Sequence, residues 1–159
     1  YIKTVFNLDE LSKFIHKADA ATYAGGGQHE KNPERTGFDE LIYSEGDFSY
    51  RDSYTGSSQS RGMTVVRYKG ETVWASMYGG GIVSGKENLD KQIIGFLKKC
   101  MMAKKDFESF RGPHNLKEGD WEYKYTQEGN IEEFSGYEEI HYQGELVFFH
   151  RVIGGMVKH

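Results

Sequence analysis

The sequence predicts an α+β domain in which a unit of one helix and an antiparallel β-meander occurs twice. Two segments with helical periodicity are each followed by alternating strand segments, and short motifs recur between the two halves. The 159 residues also include 11 Tyr and 20 Gly against 2 Pro, which is typical of short strands joined by tight turns. We expect one domain over 1–159, with repeats at about 7–83 and 88–157. Its two helices would pack on one antiparallel sheet with pseudo-twofold symmetry.

The first half opens with an amphipathic helix over Asn7 to Ala21, for which Asn7 is a suitable N-cap. A polar loop reaches to Asp39, and strand patterns begin near Leu41. Alternation predicts a strand over 47–54, and a hairpin of 62–68 with 71–78 follows. Its two-residue loop, Lys69-Gly70, suits a primed turn.

The second half repeats this order of elements. A helix is predicted over 84–105, with the capping-box spacing Ser84-x-x-Glu87 at its start. Alternating residues from Trp121 to Tyr125 predict a strand, and Gln143-Gly144 predicts the turn of a later hairpin. The second half therefore has the same helix, strand and hairpin signals as the first.

Motifs can be aligned between the halves. The segment EGDFxYR at 45–51 matches EGDWxYK at 118–124, YxGExV at 68–73 matches its copy at 142–147, and GGxV at 80–83 matches 154–157. We interpret the matches as internal duplication, with a cleft where the halves meet. The alternative is that they reflect shared turn and strand chemistry alone.

Composition and charge exclude several classes of function. The net charge of −4 and the pI near 5.9 argue against direct binding of nucleic acid or anionic lipid. No apolar stretch is long enough to cross a membrane, and residues 1–20 lack the layout of a signal peptide. The single cysteine, Cys100, lies among apolar residues and fits a reducing compartment. We therefore expect a cytoplasmic protein.

Three segments stand out by their sequence: ATYAGGG at 21–27, EGDFxYRDxYxG at 45–56 and VWASMYGG at 73–80. They resemble the DUF5680 family, whose domains of unknown function also occur behind a helix-turn-helix region in transcriptional regulators. The resemblance implies a link to transcriptional regulation and carries over no catalytic residues. Because little chain precedes Asn7, we expect a regulatory role to involve a helix-turn-helix partner or a longer chain.

The segment Gly80-x-x-x-x-Gly85-Lys86 resembles a phosphate-binding P-loop, but Glu87 replaces the required Ser or Thr. A carboxylate there opposes phosphate, so we interpret the segment as a turn. The six histidines show no metal-binding spacing, and no nucleophile elbow is present. We expect neither a metal nor a cofactor.

Counting residues back from the Lys69-Gly70 turn predicts which residues share a sheet face. Val66, Val73, Ala75 and Met77 fall on one face, as Ile140, Val147 and Phe149 do in the second hairpin, and we expect this face to pack on the helices. The other face carries rings and polar groups suited to a ligand or interface: Val65, Arg67, Trp74, Ser76 and Tyr78, with His141, Phe148 and His150. The alternative is a half-exposed face with solvated polar tips.

Asp52 is the sharpest single candidate, because it lies between Tyr50 and Tyr54 in the aromatic register of its strand. A carboxylate among rings needs a partner or has a function. The structural alternative is an ion pair with Arg51, Arg61 or Arg67. The ligand-binding candidates are Tyr23, Tyr50, Arg51, Asp52, Tyr54, Arg67, Trp74, Ser76, Tyr78, His141 and His150.

Three functions remain open at this point. The first is a module that binds or senses a small molecule. The second is an enzyme that uses Asp52 with an Arg or His partner, although we expect no enzyme more than we expect one. The third is an interaction module that forms a homodimer or docks a partner through exposed aromatic residues.

Overall fold

A computed structural model describes residues 6–22, 27, 29–104 and 108–159. Within them two helices and eight strands follow one another in chain order. They are α1 Leu8–Ala21, β1 Asp39–Glu45, β2 Phe48–Thr55, β3 Gln59–Tyr68, β4 Glu71–Ile82, α2 Asp90–Met102, β5 Asn115–Glu118, β6 Trp121–Asn130, β7 Glu133–Tyr142 and β8 Glu145–Met156. The predicted α+β class is confirmed.

All eight strands form one antiparallel sheet, in the order β1-β2-β3-β4-β8-β7-β6-β5. The first four strands therefore lie on one side and the last four on the other. The long strands β4 and β8 meet at the centre, with Met77 opposite Ile153. We call this pairing of β4 with β8 the seam.

The two helices lie against one face of the sheet. Helix α1 contacts β1 and β2, whereas α2 contacts β6. Buried side chains of both helices, such as Leu11 and Leu97, join one core with Tyr50, Val66 and Trp74 from the sheet. We call this face, with Tyr50, Val66, Trp74 and Phe148, the covered face. The opposite side, with Arg51, Met77 and Ile153, is the open face.

The start of α1 is as predicted. The Asn7 side chain accepts a hydrogen bond of 2.8 Å from the backbone N–H of Glu10, and the Glu10 carboxylate accepts one from the backbone N–H of Asn7. This reciprocal pair satisfies two N–H groups that a helix start leaves open. The amphipathic pattern and the capping residue together fix where the helix begins.

The start of α2 differs from the prediction. The capping box of Ser84 and Glu87 does not form, because Gly85 has a φ of +91° and turns the chain there. The Glu87 carboxylate instead accepts a hydrogen bond of 2.8 Å from the Gly85 N–H. A short 3-10 turn, Glu87–Leu89, precedes the helix, which begins at Asp90. The segment that resembles a P-loop is thus a turn. Its Gly85 N–H already donates a hydrogen bond to the Glu87 carboxylate and is not available to a phosphate.

Both predicted hairpin turns are confirmed. Lys69 and Gly70 have φ values of 49° and 83°, and Gln143 and Gly144 have values of 50° and 80°. Two successive positive φ values define a type I′ turn, whose twist matches that of the strands it joins. The turns therefore join β3 to β4 and β7 to β8 without distortion.

The predicted assignment of residues to sheet faces was wrong beyond these turns. Val66 pairs with Trp74 while Arg67 pairs with Thr72, so Val73 is one extra residue in β4. This β-bulge shifts the alternation by one residue. Trp74, Ser76 and Tyr78 consequently lie on the covered face with Val66 and Val73, whereas Ala75 and Met77 lie on the open face.

The second hairpin contains the same irregularity. Ile140 pairs with Phe148 and His141 with Leu146, so Val147 is the extra residue of β8. Phe148 and His150 are therefore on the covered face with Ile140, and Phe149 is on the open face. The prediction that Phe149, Ala75 and Met77 pack on the helices fails for this reason.

No helix among the described residues has the length and apolar character needed to cross a membrane.

Candidate functional site

A cavity of about 420 Å³ lies on the covered face, above the seam and between the two helices. Ile15 of α1 and Ile94 of α2 line it on the helix side. From the sheet, Tyr50 of β2, Trp74 of β4 and Phe148 of β8 line it. Its volume is within the range of about 300–1,000 Å³ that small-molecule sites occupy. Residues from both sides of the seam thus surround one space.

Seven of the eleven residues predicted from the sequence line this cavity. They are Tyr50, Asp52, Tyr54, Trp74, Ser76, Tyr78 and His150. Alternation along β2 and β3 places Arg51 and Arg67 on the open face, and His141 of β7 also lies there, opposite Glu122. Tyr23 lies outside the described residues. The structure therefore brings together the aromatic and acidic candidates and separates most of the basic ones from them.

The alternative ion pair of Asp52 is contradicted for the described residues. Arg51 binds Glu40 at 2.6 Å and Glu34 at 3.4 Å, and Arg61 donates to the Ser60 carbonyl at 2.8 Å. Arg67 lines a small depression on the open face with Glu34 and Glu40. Because neighbouring residues of a strand point to opposite faces, Arg51 cannot reach the carboxylate beside it in the chain.

Asp52 instead has hydroxyl partners. It is 5% exposed, and its Oδ1 accepts hydrogen bonds from Tyr78 Oη at 2.7 Å and Thr64 Oγ1 at 3.2 Å. Burial raises the pKa of Asp52 to about 6; the Tyr78 hydrogen bond lowers it, and the Asp19 charge raises it. No described cation forms an ion pair with it. The carboxyl group therefore changes its charge close to neutral pH.

A second carboxylate, Asp19, lines the same space. It extends the stripe of Leu11 and Ile15 on α1 at four-residue spacing, so it points toward the sheet. Tyr50 Oη donates to Asp19 Oδ1 at 2.9 Å. Burial raises the pKa of Asp19, and burial followed by the charges of Asp19 and Asp52 raises the pKa of Tyr50. The two carboxylates therefore interact across the Tyr50 hydroxyl.

A buried ionic cluster adjoins the other end of the cavity. Glu138 is fully buried, and Arg111 donates to it through Nη2 at 2.7 Å and through Nε at 3.1 and 3.2 Å. Tyr123 also donates a hydrogen bond to Glu138. Burial alone would raise the pKa of Glu138, but the Arg111 charge and the hydrogen bonds hold it below its usual range. The Arg111 charge is thus neutralised within the cluster.

His150 connects this cluster to the cavity. Its Nδ1 lies 3.3 Å from Glu138 Oε1 and 3.2 Å from Arg111 Nη2, and its ring centre is 5.9 Å from that of Tyr78. Burial lowers the pKa of His150, so the ring is neutral at pH 7. Its Nε2 is buried and has no hydrogen-bond partner among the described residues. A buried polar atom without a partner is rare and costs free energy.

Sequence reasoning missed three of these groups. Glu138 interrupts the inward register of Phe134 and Ile140 in β7, and Asp19 continues a helical stripe, so the argument that identified Asp52 applies to both. Arg111 lies in an irregular segment between α2 and β5, where no periodicity indicates a direction. Within the described ranges, no group of three or more His, Cys, Asp or Glu side chains is arranged to hold a metal ion.

Comparison with known proteins identifies a family. The family model described as "Domain of unknown function (DUF5680)" matches residues 52–157, which include the second half of β2, all of β3 to β8, and α2. The matched segment contains Asp52, Tyr78, Glu138 and His150, whereas Asp19 lies before it. No curated protein and no solved structure matches the chain.

Proposed function

The chain belongs to the DUF5680 family, a domain of unknown function, and from this premise we propose that it binds a small molecule in the cavity above the seam. One observation carries the proposal: a cavity of ligand size is lined by a buried carboxyl group, Asp52, that forms no ion pair with a described cation. Among the described residues, Asp52 accepts hydrogen bonds only from the hydroxyl groups of Thr64 and Tyr78. A ligand that supplied a further partner would offset the free energy that burying this charge costs.

We also propose that the two-sided cavity arose by duplication of a unit with one helix and four strands. Three features support this. Each half has the same element order, each β-meander ends in a type I′ hairpin, and each such hairpin has its bulge three residues after the turn glycine, at Val73 and Val147. A pseudo-twofold axis would then run between β4 and β8, beside the cavity.

The finer proposal is a sensory role in the cytoplasm, linked to transcriptional regulation through a helix-turn-helix partner or a longer chain. The family resemblance supports it, as does the position of the cavity between helices that contact different halves of the sheet. A ligand can shift a conformational equilibrium only by its difference in affinity for the two states. Here the two states would differ in the distance between α1 and α2, and the ligand would bind more tightly to the state whose helix spacing fits it.

The proposed binding is tested by a thermal-shift screen of a broad metabolite library against the wild type and two variants of β4. Ser76→Leu places a larger side chain in the cavity, whereas Ala75→Leu places it one residue away on the open face. We expect ligands that stabilise the wild type to stabilise the Ala75 variant equally and the Ser76 variant much less. A silent library, or equal responses of both variants, would contradict the proposal.

An acid–base enzyme is a second candidate, because the pKa of Asp52 is raised to about 6 and a neutral His150 lines the same cavity. Groups that change protonation near neutral pH are suited to proton transfer. Each compound that binds would be incubated with the protein and recovered for mass spectrometry. Conversion by the wild type but not by Asp52→Asn supports an enzyme, and unchanged recovery supports binding alone.

An interaction module is a third candidate, because apolar side chains are exposed on the open face at the seam. Met77 and Ile153 pair there on neighbouring strands and are 46% and 53% exposed. Size-exclusion chromatography with light scattering tests whether the chain forms a homodimer, and Met77→Lys should dissociate a dimer held by this surface. A strict monomer at high concentration removes the candidate.

A further inference from the structure

The charge balance of the cavity indicates which class of molecule it takes. The Arg111 charge is already neutralised by three hydrogen bonds to Glu138. Asp52 receives hydrogen bonds from hydroxyl groups alone, and Asp19 adds a second carboxylate to the same wall. The charges of Lys104 and Arg111 both act on Asp19, and that of Arg111 also acts on Asp52, where it is the weakest of the causes that shift the pKa. Lys98 lines the cavity as well, with Asp19, Asp39 and Asp52. Because Glu138 already pairs with Arg111, carboxylates outnumber the remaining cations in the described lining.

Several aromatic rings line the cavity between its two ends. Trp74 and Phe110 line the cavity with their ring centres 5.5 Å apart, and Tyr50, Tyr54 and Phe148 add three more. The faces of aromatic rings carry partial negative charge and attract organic cations. They would repel a carboxylate or phosphate brought into the same space. The rings and the carboxylates therefore both favour a positively charged ligand.

The ring of His150 lines the other end of the cavity. The side chain is 6% exposed, and its Nδ1 contacts both Glu138 and Arg111, which hold the ring in place. Its Nε2 has no hydrogen-bond partner among the described residues, but it is buried too deeply for a water molecule to reach, so it identifies no ligand group. This end of the cavity is therefore a fixed ring rather than a charged group.

We propose that the cavity binds a small organic cation, whose protonated nitrogen pairs with the Asp52 carboxylate and whose apolar body lies between the rings. The other end of the molecule lies against the ring of His150. This inference rests on the proposed function and adds to it the charge, shape and orientation of the ligand.

Binding of this kind depends on pH, since the cation requires an ionised Asp52. The charged and titratable groups that line the cavity with Asp52 are Asp19 of α1, Asp39 of β1, Tyr50 and Tyr54 of its own strand, Tyr78 of β4, Lys98 of α2, Arg111 before β5 and His150 of β8. The pKa of Asp52 in the free protein is about 6. The affinity for a permanently charged amine should accordingly fall about tenfold between pH 7 and pH 5.

The inference is tested with three probes that share a phenol ring and differ in charge. They are tyramine, which is a cation, 4-ethylphenol, which is neutral, and 3-(4-hydroxyphenyl)propionate, which is an anion. Their dissociation constants would be measured by calorimetry at pH 7.5 and pH 5. We expect tyramine to bind about tenfold to a hundredfold more tightly than 4-ethylphenol at pH 7.5, as a charge-assisted hydrogen bond provides. The advantage should shrink at pH 5.

Two variants locate the effect. Asp52→Asn should reduce tyramine to the affinity of 4-ethylphenol and leave 4-ethylphenol itself unchanged. Glu139→Gln removes a carboxylate from the open face of β7 and should change neither affinity. His150→Phe alters the wall at the other end of the cavity and should change the affinities for tyramine and 4-ethylphenol by the same factor, so the charge preference should remain.

The outcomes separate this inference from the proposed function. Equal or tighter binding of 4-ethylphenol or the propionate overturns the cation preference but still supports a small-molecule site. A preference for tyramine that survives Asp52→Asn also overturns it. No binding of any probe at millimolar concentration overturns the inference as stated, and the metabolite screen with the Ser76 and Ala75 variants then decides the proposed function.

Discussion

At neutral pH the ionised form of Asp52 destabilises the folded protein. The carboxyl group is buried against hydroxyl partners, and burial raises its pKa from 3.8 to about 6. The folded state therefore binds a proton more tightly than the unfolded state does. Stability from this group is fully present below pH 3.8 and is lost as the pH rises through about 6.

Replacing Asp52 should therefore stabilise the protein in a pH-dependent way. Asp52→Asn keeps an acceptor for Tyr78 and removes the charge, so its free energy of unfolding relative to wild type should increase by up to about 3 kcal/mol from pH 4 to pH 7.5. Urea denaturation at both pH values measures this. Glu139→Gln on the open face controls for the loss of one negative charge. A pH-independent difference would show that Asp52 is not buried as described.

The Glu138 cluster should behave in the opposite way. Glu138→Gln leaves the Arg111 charge buried without its partner, and removing one member of a buried pair costs about 3–5 kcal/mol. The double variant Glu138→Gln with Arg111→Met removes both charges and should recover most of that loss. Equilibrium denaturation of the two single variants and the double variant measures the coupling. Additive effects would mean that the pair does not interact.

At this scale the sequence predicts a buried acid better than it predicts that acid's surroundings. Strand alternation is sufficient to place Asp52 among rings, and the same reading would have found Glu138. The partners were not predictable in this way. Tyr78 reaches Asp52 from two strands away, and Arg111 comes from a segment without regular structure, so neither contact leaves a periodic signal.

Among the elements, the two hairpins show what a turn signal can and cannot predict. Lys69-Gly70 and Gln143-Gly144 specify both turns correctly. The face of every later residue was inverted because Val73 and Val147 are extra residues in β4 and β8. Valine is common in regular strands, so nothing in its identity marks a bulge. Its consequence is large here, since the bulges turn Trp74 and His150 toward the helices.

Glycine substitutions in two elements should have opposite effects. Gly70 has a φ of 83° and space around its Cα, so Gly70→Ala should cost about 1–2 kcal/mol through backbone strain alone. Gly95 lies in α2 with similarly open space, and Gly95→Ala should stabilise by about 0.5–1 kcal/mol through helix propensity. Thermal or urea denaturation gives both values. Equal signs for the two variants would contradict the turn geometry.

For the whole molecule, the seam decides how the fold responds to stress. β4 and β8 pair over nine positions, from Trp74 with Met156 to Ile82 with Phe148, and buried residues of both halves form one core. If either half unfolded alone, the strand of the other half that pairs across the seam, β4 or β8, would lose its neighbour and be exposed. The strand order therefore predicts that the two halves unfold together.

Differential scanning calorimetry should accordingly show one transition. Its enthalpy should be about 110 kcal/mol near 60 °C, from an average of about 0.7 kcal/mol per residue, and should equal the van't Hoff value. Two resolved transitions, or a van't Hoff enthalpy near half the calorimetric one, would mean that the halves unfold separately. The same measurement on Ser76→Leu, which alters the cavity wall on β4, provides a comparison with the wild type.

A cavity that takes its walls from both sides of a single strand pairing also suggests a use for the molecule. A compound bound there would contact both halves and stabilise their association. If the chain were cut between β4 and α2, reassembly of the fragments would then depend on that compound. Fused to the parts of a divided reporter enzyme, the fragments would make a sensor whose signal records the concentration of the compound in living cells.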